Sequence, residues 1–192
     1  IDMSQGAELG LADSGQIEGF DVELVAEDDQ GSPEGGAAVA NKFVSDQEVV
    51  AVAGPAFSGA TRAATPIYEA ANIPMVSMSA TAPDLTQSGS AVFNRVIFSD
   101  LVQGSQAASF LADTLGKSKI ALLHDGTTYG QGLCTVAQGA LGDKAVAFEA
   151  ITPGETDYSA VLTQIAALEP DAMLYCGYHP EAPALVNGFA KA

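Results

Sequence analysis

The sequence predicts an α/β protein built as two parallel-sheet lobes, and three observations carry that prediction. Short apolar, β-branched runs alternate with amphipathic stretches along the chain. Each strand-plus-helix unit takes about 25 residues, near the ~30 of a βαβ unit. The alternation is broken once, at Val92-Phe93-Asn94-Arg95-Val96-Ile97-Phe98, by an extended run that follows a turn-rich segment and precedes a new helix.

In chain order, residues 1–11 read as a helix with Ile1, Leu9 and Ala12 on one side and no strand before it. Val22-Glu23-Leu24-Val25, Val49-Val50-Ala51-Val52 and Ile73-Pro74-Met75-Val76 read as strands buried on both faces. So do Ile120-Ala121-Leu122-Leu123, Val146-Ala147-Phe148 and Ala172-Met173-Leu174-Tyr175. Leu101, Phe110, Leu111 and Leu115 recur at helical spacing on a stretch that Asp100 is expected to cap, and Tyr158, Val161, Leu162, Ile165 and Leu168 form a second such face. The extended run at 92–98 is the crossover between two sheets. It gives a first lobe over residues 1–98, lacking its first strand, and an incomplete second lobe over 99–192. The chain also stops within a predicted helix, at Gly188-Phe189-Ala190-Lys191-Ala192, so the fold is expected to be truncated at both ends.

Charge excludes several partners. Seven Lys+Arg stand against twenty-four Asp+Glu, and a net charge of -17 repels a phosphate backbone and an anionic membrane surface alike. No apolar run approaches the roughly 20 residues of a spanning helix. The two cysteines, Cys134 and Cys176, belong to no redox or zinc motif and are expected to be two small core residues. Residues 1–7 lack the basic and apolar regions of a signal peptide.

In a parallel sheet the ligand sits beyond the carboxyl ends of the strands, where loops open and helix N-termini point their N–H groups outward. The richest such segment is Gly54-Pro55-Ala56-Phe57-Ser58-Gly59-Ala60-Thr61, with Ser58 at or near a helix N-cap. Its hydroxyl and the N–H groups of Gly59, Ala60 and Thr61 suit a carboxylate. Ser77-Met78-Ser79-Ala80-Thr81 offers hydroxyls and carbonyls suited to an ammonium group, so the pair of loops fits a zwitterion. Tyr129 and Tyr178, each in a strand-end loop, present a flat face and one hydroxyl to a cleft.

Enzyme signatures fail. Gly116-Lys117-Ser118 lacks the first glycine of a P-loop, where Leu111 stands, and Gly130-Gln131-Gly132 lacks the third glycine of the dinucleotide pattern, replaced by Thr135. No serine has the flanking glycines of a nucleophile elbow. A serine hydrolase would have to pair Ser58 or Ser79 with His124 or His179. Glu27-Asp28-Asp29 supplies too few oxygens for calcium, and neither metal nor cofactor is expected.

Taken together and in order, several segments resemble the leucine/isoleucine/valine-binding proteins of ABC uptake systems, which have the type I periplasmic-binding fold. They include residues 22–29, Gly54 to Thr61, Ile73-Pro74-Met75-Val76-Ser77 and Ala80-Thr81-Ala82-Pro83-Asp84. His124-Asp125, Tyr129-Gly130-Gln131-Gly132-Leu133, Asp157-Tyr158-Ser159-Ala160 and Gly177-Tyr178-His179-Pro180-Glu181 continue the match. The resemblance implies two Rossmann-like lobes closing over a free amino acid, which an ABC permease then accepts, in the periplasm or another extracytoplasmic space. It implies that Ser58 meets the ligand carboxylate, that Ser79, Ala80 and Thr81 share carboxylate and ammonium, and that Tyr129 and Tyr178 close onto the ligand. Ala56 and Phe57 then flank the side-chain pocket. By the same resemblance a further tyrosine and the acidic residue that meets the ammonium fall before Ile1 and after Ala192. The family's disulfide positions correspond to Gly31 and Phe57, neither of which is a cysteine here, and Met78 stands for a common proline. The same fold also serves sensory and regulatory ligand-binding domains, which is the alternative reading.

Overall fold

A computed structural model of the chain describes residues 3–189. Eight α-helices and six strands alternate along them. In the first half, α1 (Met3–Ser14), α2 (Pro33–Val44), β1 (Val52–Ala53), α3 (Ser58–Ala71), β2 (Met75–Ser77), α4 (Asp84–Gln87) and β3 (Phe93–Arg95) follow in order. The second half runs α5 (Asp100–Ser109), β4 (Ile120–His124), α6 (Thr128–Leu141), β5 (Ala145–Ala150), α7 (Ser159–Ala166), β6 (Ala172–Cys176) and α8 (Ala182–Phe189). The strands form two parallel sheets, ordered β1-β2-β3 and β5-β4-β6.

The second sheet is the better covered. Its central strand β4 is apolar from Ile120 to Leu123 and buried along its whole length, His124 included. Ile120 and Leu122 face Leu133, Ala137 and Leu141 of α6, while Ala121 and Leu123 face Leu162, Ile165 and Leu185 of α7 and α8. This is the period-2 division expected when helices cover both faces. At the amino ends of these strands, Asp171 accepts the N–H groups of Ser118 and Lys119, fixing the start of β4 to that of β6.

In the first sheet, Tyr68 and Ala64 of α3 and Ala40 of α2 pack with Met75 and Phe93. α2 and α3 approach so closely that a Cβ on Gly36 would stand 2.6 Å from the Ala60 carbonyl. The other face is open, and Val76 points to solvent. Burial on both faces therefore holds for β4 and not for every predicted strand.

Three expectations need correction. Val22-Glu23-Leu24-Val25 forms no strand, and its valines and leucine remain exposed. β-branched composition supplies propensity, but a strand exists only where a neighbour completes the hydrogen-bond ladder, and none among the described residues does so here. Of residues 49–52 only Val52 enters the sheet. Asp100 does not cap α5. The cap is Ser99, whose hydroxyl accepts the Leu101 N–H, and Asp100 occupies the first helical position. The helix then runs into a π-helical turn at Phe110–Thr114, closed by the Leu115 N–H donating to the Phe110 carbonyl. The predicted final helix is seen as α8, while Ile1 and residues 190–192 lie outside the described residues.

Cys134 and Cys176 are core residues, as expected, but they are also bonded to each other, with Cα atoms 5.7 Å apart. The disulfide ties α6 to the end of β6 across 42 residues of sequence. No spacing motif announced it, because the two positions meet only once β6 pairs with β4. Closing a loop of this length restricts the unfolded chain by about 4 kcal/mol. The Cys134→Ala/Cys176→Ala variant is therefore expected to lose stability of that order in urea unfolding. Identical midpoints for oxidised and reduced wild-type protein would overturn this assignment.

Candidate functional site

Because all strands within each sheet run parallel, their carboxyl ends gather the connecting loops on one side. In the first sheet three serines bind the loop after β1 to the loop after β2. The Ser77 hydroxyl donates to the Pro55 carbonyl (2.6 Å) and accepts the Ala80 N–H (3.0 Å). The Ser79 hydroxyl donates to the Ala56 carbonyl (2.7 Å). The Ser58 oxygen accepts the Ala82 N–H (3.2 Å), which leaves its own O–H to donate elsewhere.

Phe57 is the N-cap of α3 and Ser58 its first residue, one step from the expected arrangement. The first helical bond runs from the Thr61 N–H to the Phe57 carbonyl (2.9 Å). Thr61 is thus spent, and the N–H groups that precede this bond are those of Ser58, Gly59 and Ala60. The Phe57 ring lies over Gly31, where a Cβ would approach it to 3.2 Å.

In the second sheet the organising group is Asp125, buried just after β4. Its carboxylate accepts the Thr127 N–H (3.0 Å) and hydroxyl (2.6 Å), and also the Tyr178 N–H (3.1 Å) from the loop after β6. Thr127 in turn caps α6 by accepting the Gly130 N–H (3.0 Å). Gly130 and Gly177 are required by crowding. A Cβ on the first would strike the Asp125 carboxylate and the Cys176 carbonyl, and on the second the Tyr175 hydroxyl.

Tyr129 and Tyr178 are mounted on this frame with ring centroids 5.2 Å apart, and Tyr178 meets Phe57 edge-on at 5.1 Å. Gln103 donates its side-chain amide to the Tyr129 hydroxyl (3.1 Å). Burial, reinforced by Asp125, pushes the Tyr178 phenol well above its ordinary value, and burial likewise raises Tyr129. Both rings therefore carry protonated hydroxyls at neutral pH.

These loops line an open cavity of about 400 Å³. Ala56, Phe57, Ser58, Ser79 and Thr81 line it from the first sheet, and Tyr129 and Tyr178 from the second. Ala80 is not on its wall. It is fully buried, its N–H held by Ser77 and its carbonyl by Arg95. Sequence reasoning missed Met3, Ile97, Phe98 and Gln103, which also line the cavity, as does His179, considered there only as a hydrolase base.

Among the described residues no hydrogen bond joins His124 or His179 to Ser58 or Ser79, and the Ser79 proton is committed to a carbonyl. The acidic trio is locally satisfied: Glu27 pairs with Lys42, while Asp28 and Asp29 accept the N–H groups of Gln30 and Gly31.

The sequence profile of the family described as "Periplasmic binding protein" matches residues 1–192. The chain is 36% identical over 187 residues to an amino acid binding protein of Pseudomonas aeruginosa, covering 96% of this chain and 50% of that one. It is 37% identical over 182 residues to the Leu/Ile/Val-binding protein of Escherichia coli K12, covering 92% and 49%. Among solved structures, the branched-chain amino acid transporter substrate binding protein of Streptococcus pneumoniae in complex with isoleucine superposes with a TM-score of 0.87. It is 31% identical to this chain, of which the superposition covers 98%, against 55% of that protein. The chain belongs to the periplasmic binding protein family, and it spans about half the length of the curated relatives it matches.

His124, at the end of β4, is buried against Phe148, and its Nδ1 accepts the Gly126 N–H (3.0 Å). Burial lowers its pKa, against an opposing pull from Asp125. A histidine lowered in the folded state stabilises fully above its unfolded value of about 6.5, and that contribution is lost as pH falls through 6.5 toward the folded value. Thermal melts are expected to drop between pH 7.5 and 5. In His124→Asn, which keeps an acceptor but cannot titrate, the drop should be shallower. An unchanged pH profile in the variant would refute this role.

Proposed function

We propose that this chain forms the ligand-holding part of an extracytoplasmic solute receptor, which takes up a free amino acid between two lobes and delivers it to an ABC permease. The observation that carries the reading is the composition of the cavity. The Ser58 hydroxyl, at the first residue of α3, stands on one side, and two protonated tyrosines stand on the other. That donor set suits a carboxylate. Phe57, Met78 and Phe98 add an apolar wall for a side chain. The relatives named for amino acids, and the isoleucine complex of the streptococcal neighbour, support the same class of ligand.

In this reading Ser58 holds the carboxylate and Thr81 meets the ammonium group. Tyr129 and Tyr178 close from the second lobe, and Ala56 and Phe57 bound the side-chain pocket. Ser79 and Ala80 act through the loop they brace. The lobes divide near residues 98 and 99, between β3 and α5. The buried disulfide is at home in an oxidising, extracytoplasmic compartment. No helix among the described residues is long and apolar enough to cross a membrane, so the permease is a separate partner in this scheme. Binding requires no catalysis, and ligand contacts from both lobes favour the closed arrangement.

Ser58→Ala removes one charge-assisted hydrogen bond, and is expected to weaken amino-acid binding by about 10- to 150-fold in titration calorimetry. An unchanged dissociation constant would take Ser58 out of the site.

A further inference from the structure

Asp100 is fully buried at the start of α5, and neither of its carboxylate oxygens has a hydrogen-bond partner among the described residues. Its neighbour Thr81, on the cavity wall, is in the same state: the hydroxyl is buried and unpartnered. The two are joined through the backbone, the Asp100 N–H donating to the Thr81 carbonyl (2.9 Å). The Thr81 hydroxyl stands close enough to ease ionisation of Asp100, yet outside hydrogen-bond geometry.

A structural role does not account for this carboxylate. Capping of α5 is done by Ser99. The nearby cation, Arg95, directs its side-chain bonds to neutral acceptors, the carbonyls of Ala80 (3.3 Å) and Ala82 (2.9 Å) and the Thr86 hydroxyl (2.6 Å). Burial pushes the Asp100 carboxyl above its ordinary range, and the charge of Arg95 only partly opposes this. A buried carboxylate without a partner costs stability until a cation or donor reaches it. Thr81, bonded to Asp100 through the backbone, lines the cavity together with Tyr129 and Tyr178, and the charge of Asp100 acts on both tyrosines.

We infer that Asp100, acting through the Thr81 hydroxyl, is the positioning residue that makes the cavity select ligands carrying a cationic nitrogen beside their carboxylate. The Thr81 hydroxyl is closed off from the cavity in this structure, so on binding the Thr81 side chain rotates until its O–H points to Asp100 and its lone pair faces the ammonium group. The acid thereby both orients Thr81 and attracts the cation at short range. A ligand with the carboxylate alone meets the same acid as a repulsion. This inference rests on the amino-acid reading above, and supplies the charge that enforces it from within the chain.

The test uses Asp100→Asn, nearly identical in shape, with L-leucine and 4-methylpentanoate, the same skeleton without the amino group, as probes. Calorimetry is expected to show leucine affinity reduced about 10- to 100-fold and 4-methylpentanoate affinity unchanged or improved. The melting temperature of the ligand-free variant is expected to rise, because an unpaired buried charge is gone. A merely structural Asp100 would lower that temperature and weaken both ligands equally, and either result overturns the inference. If wild type binds leucine and the variant binds it equally well, the inference fails while the amino-acid reading stands. If wild type binds only 4-methylpentanoate, both fail together.

Discussion

The site depends on one buried carboxylate more than on any other group. Asp125 ends the central strand of the second sheet and binds, through its two oxygens, the start of α6 and the loop after β6. The second of these segments lies 53 residues beyond Asp125 in sequence, and the two carry Tyr129 and Tyr178. Desolvating a carboxylate is expensive, and three donors from backbone and hydroxyl are what make its burial tolerable. The cost is also a specification. Only glycine fits at positions 130 and 177, because the carboxylate and the neighbouring backbone and phenol occupy the space of any Cβ. The Cys134–Cys176 bridge joins the same helix and strand one layer deeper, so the tyrosines rest on a doubly fastened base.

The first sheet solves the matching problem with neutral groups. Ser77 and Ser79 spend their protons on the Pro55 and Ala56 carbonyls, and these bonds hold two loops in place without adding charge near the cavity. What charge there is comes from behind, from Asp100 and Arg95, and the arginine is occupied by carbonyls and a hydroxyl. The wall that faces a ligand is thus made of neutral donors, with an acid set one layer back. Between the sheets the seam is slight. It includes the Phe57–Tyr178 contact and a hydrogen bond (3.2 Å) from Arg62 of α3 to the Thr128 hydroxyl of α6.

Most of this architecture was legible in the sequence, for physical reasons that also explain the gaps. Ile120-Ala121-Leu122-Leu123 reads as a core strand because nothing polar interrupts it, and the helices flanking it repeat apolar residues with their own period. Val22-Glu23-Leu24-Val25 has the same composition and forms no strand, since pairing is a property of neighbours and not of the segment. Ser58, Tyr129 and Tyr178 reach the cavity wall because the loops at the strand ends of parallel sheets gather on one side. Ala80 was not separable from Ser79 and Thr81 by that rule, as successive residues of a loop turn different sides to the cavity. Asp100 and Gln103 sit on a helix face, where an acidic or amide residue looks like ordinary solvated surface until the fold buries it. The disulfide was hidden in the same way, two distant positions brought into register by strand pairing.

The two walls of the cavity are built on different mechanical terms. Tyr129 and Tyr178 share a foundation of carboxylate, helix cap and disulfide, whereas Phe57 leans on Gly31, a residue with no side chain of its own. Exchanging Phe57 or Met78 would resize the pocket without touching that foundation. Under the proposed function, affinity for the common part of a ligand and preference for its variable part would be separable traits. A scaffold divided in this way can drift from one solute to another by small steps while remaining folded at each of them.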